Sequence, residues 1–304
     1  MRAIDIHSHI GDILYKSGGG LIFKTGIKFP RSTGAQLLDE KNLFRQTRRG
    51  RFLDKYFPAL SVKNERGRNS AATLENLRAS LETDTGVIIE RCVCLPVAPN
   101  NIYKDITAAA QAEPRITAFT SPDFSDVEHM PAQLEADLKD GAAGIKIHPI
   151  IQEVEADSQE VITAAEIGGT YNAPVLLHSG RASYYTAREN KERFRENSSI
   201  IKIERLIAAC PGTRFIVGHA GLGEIAAVIG LLHKYKNVWV DTSFQPPEAI
   251  QTLINVFGGD KVLFASDWPY GLRRPAILAV REACKKDSSL LEAVLYDNAA
   301  ELLR

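Results

Sequence analysis

Only four cysteines occur in 304 residues, and their positions (92, 94, 210 and 284) lack the paired Cys-x-x-Cys groups of a structural zinc site. A disulfide scaffold is excluded, and buried thiols in a reducing compartment account for them. Net charge is also missing, since 37 Lys and Arg offset 37 Asp and Glu. This balance gives no global attraction to nucleic acid or to an anionic membrane. No run approaches the roughly eighteen apolar residues that a membrane helix needs. Nor does a charged start followed by an apolar stretch mark a signal segment. The chain opens with MRAIDIHSH, which reads as a buried strand ending in two histidines. Cleaving it away would remove the most chemically suggestive part, so a cytoplasmic location is expected. A glycine-rich phosphate loop is absent after this strand, where His7, Ser8, His9, Ile10 and Gly11 stand instead.

What is present is a rhythm. Short β-branched runs at 3–6, 91–96, 116–120, 143–147, 174–177, 214–217, 238–240 and 262–265 read as strands. Amphipathic segments at 70–83, 131–139, 161–171, 200–209, 224–235, 247–257 and 275–286 read as helices, with a last one over 289–303. Eight strand–helix units predict an α/β fold, a (β/α)8 TIM barrel forming a single domain over 1–304. An open doubly wound sheet is the competitor, and the missing phosphate loop counts against it.

Residues 11–70 form a long insertion after the first strand. It holds thirteen Lys or Arg against five Asp or Glu, a surplus of eight, so the rest of the chain carries the opposite excess. Gly18, Gly19 and Gly20 suit a turning loop, and Phe52, Leu53, Tyr56 and Phe57 fall at helical spacing. A partly helical, basic lid is expected, although a solvated face is the commoner meaning of a charge run.

Five of the seven histidines sit at strand ends: His7 and His9 on the first, His148 on the fourth, His178 on the fifth and His219 on the sixth. Asp267 follows the eighth. In a barrel these ends share one mouth, where the loops build sites. His7 and His9, two apart on a strand, emerge on one face about 6 to 7 Å apart. A lone pair of this kind is often just hydrogen-bonded to backbone. So many polar groups on one rim would instead leave unpaired buried groups costing about 1 to 3 kcal/mol each. A divalent metal removes that cost, and neutral imidazoles with a carboxylate suit zinc, with manganese or iron as alternatives.

The order His7-Ser8-His9, Gly144-Ile145-Lys146-Ile147-His148-Pro149, Leu177-His178-Ser179-Gly180, Gly218-His219-Ala220-Gly221, Asp241-Thr242-Ser243 and Ser266-Asp267-Trp268-Pro269 resembles the amidohydrolase superfamily. More narrowly it is similar to the amidohydrolase 2 branch, which contains hydrolases and nonoxidative decarboxylases. The resemblance implies that His7, His9, His178 and Asp267 form the first metal site. It implies that His219 faces the substrate or binds a second metal. Lys146 corresponds to a lysine that is carboxylated and bridges two metals in some members. Here His148 follows it in the same side-chain direction, so one tightly held metal is expected, with Lys146 and His148 as substrate contacts or a weaker second site. A metal-dependent hydrolase is implied, with Asp267 moving the proton of an activated water and His219 steadying the oxyanion. The alternative is a metal-dependent decarboxylase or other carbon–carbon lyase.

Loop residues set the substrate. Arg181, Arg273 and Arg274 carry guanidinium groups able to pair with a carboxylate, and Trp268 and Tyr270 offer walls. Together with the basic insertion they predict a small anionic substrate, and loop arginines exposed to solvent are the plainer reading. Cys92 and Cys94 read as barrel packing. Neither a nucleic acid nor a membrane is an expected partner, and a homo-oligomer is compatible with the sequence.

Overall fold

The computed structural model describes residues 1–30, 58–182 and 184–304. Eight parallel strands run in chain order: β1 (Arg2–Ser8), β2 (Ile88–Cys94), β3 (Ile116–Ala118), β4 (Ile145–Ile147), β5 (Val175–Leu177), β6 (Phe215–Val217), β7 (Val238–Asp241) and β8 (Val262–Leu263). The ladders join β1 to β3 and β4 to β8. Backbone hydrogen bonds close both seams. Between β8 and β1, Ile6 N donates to Phe264 O (3.1 Å) and Asp267 N to His7 O (2.8 Å). Between β3 and β4, Ala143 N donates to Ala118 O (2.9 Å) and Lys146 N to Thr120 O (2.7 Å). The expected TIM-barrel class is what the chain forms.

The helices are α1 (Pro58–Asn69), α2 (Leu74–Leu81), α3 (Tyr103–Ala112), α4 (Met130–Lys139), α5 (Gln159–Thr170), α6 (Ile200–Ala209), α7 (Ile225–Leu232), α8 (Pro247–Phe257) and α9 (Arg273–Ala283). The chain then ends in α10 (Ser288–Glu292), a π-helical turn (Ala293–Asp297) and α11 (Asn298–Leu302), where one continuous helix is expected from the sequence. Helix α3 is an addition. Its buried residues are Tyr103, Ile106 and Ala109, and the weak apolar signal of alanine hides that stripe. Among the described residues no helix is long and apolar enough to cross a membrane.

Two apolar layers follow from strand alternation. Outward residues such as Ile145, Val175, Leu177, Phe215, Val217 and Val240 pack on the helices. Inward residues Ile4, Ile6, Val93, Leu176, Ile216 and Leu263 fill the barrel, and Tyr296, Ala299 and Leu302 join them from the C-terminal segment. The interior is therefore plugged, which leaves the opposite mouth for chemistry.

Candidate metal centre

Alternation along each strand selects the residues that line the mouth. Lys146 is in register with Leu176, and Leu176 with Ile216, which is an interior row. Two residues further on, His148 and His178 emerge on the same side, as does Asp241 two beyond Trp239 and Asp267 two beyond Ala265. In β1 the register shifts between Asp5 and Ser8. Ile4 and Ile6 point inward before the shift; after it the mouth receives His7 and His9, and Ser8 Oγ turns to the Asp5 carboxylate (3.0 Å).

The corresponding position in β6 is Gly218. A Cβ there would lie 3.2 Å from Cε1 of His7 and 2.7 Å from the Leu177 carbonyl, so only glycine leaves room for the imidazole. The next residues turn left-handed, with φ of 58° at His219, 42° at Ala220 and 82° at Gly221. This turn brings the His219 ring to 4.7 Å from that of His7. Asp267 is also left-handed, φ 56°. Such backbone is rare in non-glycine residues and collects at functional sites.

Hydrogen bonds fix the orientation of the rings. His7 Nδ1 lies 2.7 Å from Asp241 Oδ2, and His9 Nδ1 lies 2.8 Å from the Leu95 carbonyl. Both acceptors require N–H at Nδ1, which leaves a lone pair on each Nε2. Those lone pairs face Asp267 Oδ1 at 3.3 Å and 3.5 Å. Asp267 Oδ1 itself has no hydrogen-bond partner although it is buried. The donor atoms of His7, His9 and Asp267 all lie within 4.8 Å of one another. Acceptor atoms of two imidazoles and a carboxylate converging on one point are a pattern that a bound cation satisfies.

A second chain of bonds sets the other two rings. The Ser243 hydroxyl donates to Asp241, accepts from His219 Nδ1 (2.7 Å), and so leaves His219 Nε2 as the acceptor for His178 Nδ1 (3.1 Å). His178 Nε2 is then a buried lone pair without a partner. His178 stands outside the close trio but offers it a free ligand atom. Lys146 reaches in, its Nζ 3.0 Å from His7 Nε2, and His148 stacks on His178 with ring centroids 4.0 Å apart. Asp241 is the hub missing from the sequence-derived site. It also accepts from the backbone N–H of His219 and Ser243, at 2.8 and 3.0 Å. His7, His219 and Asp241 form a second compact group.

Electrostatics keep the rings neutral. Burial pushes His7, His9, His148, His178 and His219 well below the usual histidine value, and the neighbouring Lys146 charge acts in the same direction. Burial also lowers Lys146 to about 8, against the pull of Asp267 and Asp241, and raises Asp267 well above the carboxylate range. Imidazoles held neutral are available as ligands at neutral pH.

Three residues expected to touch substrate are placed elsewhere. Arg181 is exposed, with its guanidinium forked onto Glu196 (2.6 and 2.9 Å) and held by Glu224 (3.2 Å). Trp268 follows the inward Asp267, so alternation turns it away from the mouth to stack on Phe29 (6.1 Å). Arg273 is buried in the wall, 3.1 Å from Asp5 Oδ2, and bonds Ser8 and Ser80. Its contacts tie β1, α2 and α9 together beside the His7, His9 and Asp267 cluster. Arg273→Met is expected to strand the buried Asp5 charge and cost about 3–5 kcal/mol. A melting temperature lowered by roughly 10 °C in calorimetry checks this; an unchanged value refutes it.

The mouth is walled by a separate apolar cluster of Ile13, Leu14, Val97, Ile151 and Tyr270, with Tyr184 and Phe244 packed against it. Tyr270 meets His9 edge-on at 5.9 Å, and Phe244 lies 5.4 Å from His219. From the insertion, α1 reaches this wall: Arg68 bonds the Tyr270 carbonyl, and Asn69 Oδ1 accepts from the Tyr270 hydroxyl (2.8 Å). Arg66 binds Glu189. Lys16, Lys24, Lys28 and Lys63 are exposed. Phe52, Leu53, Tyr56 and Phe57 lie outside the described residues.

The closed parallel barrel carries an imidazole–carboxylate cluster at its C-terminal mouth, a candidate metal site. The chain belongs to the amidohydrolase family, whose model matches residues 4–304. No curated protein matches it. Solved structures share the fold. An uncharacterized TIM-barrel protein from Bordetella bronchiseptica superposes with a TM-score of 0.66 at 16% identity, covering 100% of this chain and 98% of that one. A 5-carboxyvanillate decarboxylase from Novosphingobium aromaticivorans, complexed with manganese and 4-hydroxy-3-methoxy-5-nitrobenzoic acid, gives 0.64 at 14% identity, covering 99% and 95%. A probable 2-pyrone-4,6-dicarboxylic acid hydrolase from Acinetobacter baumannii gives 0.59 at 14% identity, covering 100% and 99%.

Proposed function

We propose that this protein is a metal-dependent hydrolase of a small, flat, carboxylated substrate. The observation that carries the reading is the pair of buried, partnerless acceptor atoms, His178 Nε2 and Asp267 Oδ1, beside the Nε2 atoms of His7 and His9, whose Nδ1 hydrogen bonds leave them as acceptors. His7, His9, His178 and Asp267 hold the ion. Zinc fits this donor set, and manganese or iron fits it as well. When bound there, a divalent ion supplies Lewis acidity.

The chain's own groups carry the protons. Asp267, whose carboxyl burial makes a good proton acceptor, takes a proton and returns it to the leaving group. His219, oriented by Ser243 at Nδ1 and by His178 at Nε2, is the ring that steadies the developing oxyanion. Lys146 and His148 contact the substrate. The insertion acts as a lid, its helix α1 resting on the mouth through Arg66 and Arg68.

A second reading, decarboxylation, is favoured by the apolar enclosure of Tyr184, Tyr270 and Phe244, which keeps water from the reacting carbon. Asp267 or His219 then delivers the proton that replaces carbon dioxide. Small esters, lactones, amides and aromatic acids supplied to metal-loaded protein in 18O-labelled water separate the two. Hydrolysis places label in the product carboxylate, whereas decarboxylation releases carbon dioxide without it. Purified protein that retains no divalent metal under any loading condition defeats both.

A further inference from the structure

We infer that Tyr184 is the substrate-contacting hydrogen-bond donor of this site, its phenol placed to grip a carboxylate or oxyanion, with the Arg66–Glu189 pair as its positioning clasp. The inference rests on the reading of the site as one that takes a carboxylated substrate. Tyr184 lies six residues beyond His178 in the loop after β5. Its ring meets His148 edge-on at 5.3 Å, His178 at 6.0 Å and Tyr270 at 6.2 Å. It therefore packs against the two histidines that follow β4 and β5.

The two tyrosines of this wall differ in their hydroxyls. That of Tyr270 is used by Asn69. That of Tyr184 has no hydrogen-bond partner among the described residues, although the ring is half-buried. A wall needing only apolar area is served as well by phenylalanine, as Phe244 does against His219. A phenol with no hydrogen-bond partner among the described residues, beside His148 and His178, has its donor available for an acceptor that arrives with the substrate. Arg181, Arg273 and Trp268 are all turned away from the mouth, so Tyr184 fills the role expected of them.

The loop bearing Tyr184 is tied down from outside. Arg66 Nε donates to the Tyr184 carbonyl (3.3 Å), while the same guanidinium binds Glu189. Glu189 also accepts from the Thr186 backbone N–H (2.8 Å), the Thr186 hydroxyl (2.7 Å) and the Tyr15 hydroxyl (3.2 Å). Tyr185 Oη reaches the Leu14 carbonyl (3.4 Å). The insertion helix and the segment after β1 thus hold one phenol in place, giving the described part of the insertion a mechanical task.

Benzoate serves as the probe, titrated calorimetrically into metal-loaded protein. Tyr184→Phe is expected to weaken benzoate about tenfold or more, the usual worth of a hydrogen bond to a charged group, with metal content and melting temperature unchanged. Glu189→Gln is expected to weaken it severalfold in the wild-type background and to have no further effect in the Tyr184→Phe background, a coupling that general loosening of the fold does not produce. Equal benzoate affinity in Tyr184→Phe overturns the inference, and so does a wild-type protein that does not bind benzoate. Metal content and the isotope experiment judge the hydrolase reading separately.

Discussion

Asp267→Asn is expected to lower turnover by about a thousandfold or more, within the range lost with an essential proton-transfer group, while the barrel stays folded. The substitution is nearly isosteric, and the backbone bond from Asp267 N to His7 O at the seam is untouched. It places an amide where Oδ1 faces the lone pairs of His7 and His9, so bound metal falls with activity. The sign of the stability change is an independent check. Burial raises the Asp267 pKa above its unfolded value. Metal-free wild type therefore holds its full contribution below the ordinary carboxylate range and loses it as pH climbs towards the raised value. At neutral pH the metal-free asparagine variant is expected to melt no lower than wild type. Activity within tenfold of wild type, or a variant that melts much lower, sinks the assignment.

Stripping the metal has the second large effect. Protein treated with chelator and then titrated with zinc or manganese is expected to melt about 5–10 °C higher, from the roughly 3–4 kcal/mol gained at 100 to 1,000 times Kd spread over a chain of this size. The cause is local: acceptor atoms of buried neutral imidazoles and a carboxylate crowd together, and among the described residues the Lys146 ammonium, 3.0 Å from His7 Nε2, offsets this in the metal-free state. His178→Asn is expected to lose most of the shift. A thermal-shift titration that stays flat for every divalent ion removes the metal centre from the molecule.

Much of this site was legible because alternation is simple. All eight strands lie where their β-branched runs predict, and a period of two carries Lys146 to His148, Trp239 to an inward Asp241, and Ala265 to Asp267. The same rule already turns Trp268 outward, a consequence that reading it as a wall residue overlooks. Other features depend on information no short window holds. Arg181 is taken by Glu196, 15 residues on, and Glu224, 43 residues on, and Arg273 by Asp5 at the far end of the chain. Gly218 and the left-handed turn at His219 look like any Gly-His pair until the neighbouring imidazole of His7 claims the space. Asp241 stood within the family-like motif, yet its role as the acceptor that orients two rings appears only with the fold. Helix α3 was hidden by its alanines.

The seam between β8 and β1 has a consequence for the order in which the protein acquires its chemistry. Ser266 bonds Asp5 across 261 residues of sequence, immediately beside the contact of Asp267 with His7 and His9. Of the four donors proposed for the ion, His7 and His9 are made first, and the Asp267 carboxylate follows only with the last strand of the barrel. On the proposed reading, a chain whose last strand has not docked lacks the carboxylate donor, and the full set comes together only when that strand closes on β1. Because long closures of this kind are slow and entropically costly, the affinity of the proposed centre for a divalent ion would report whether the ring has closed.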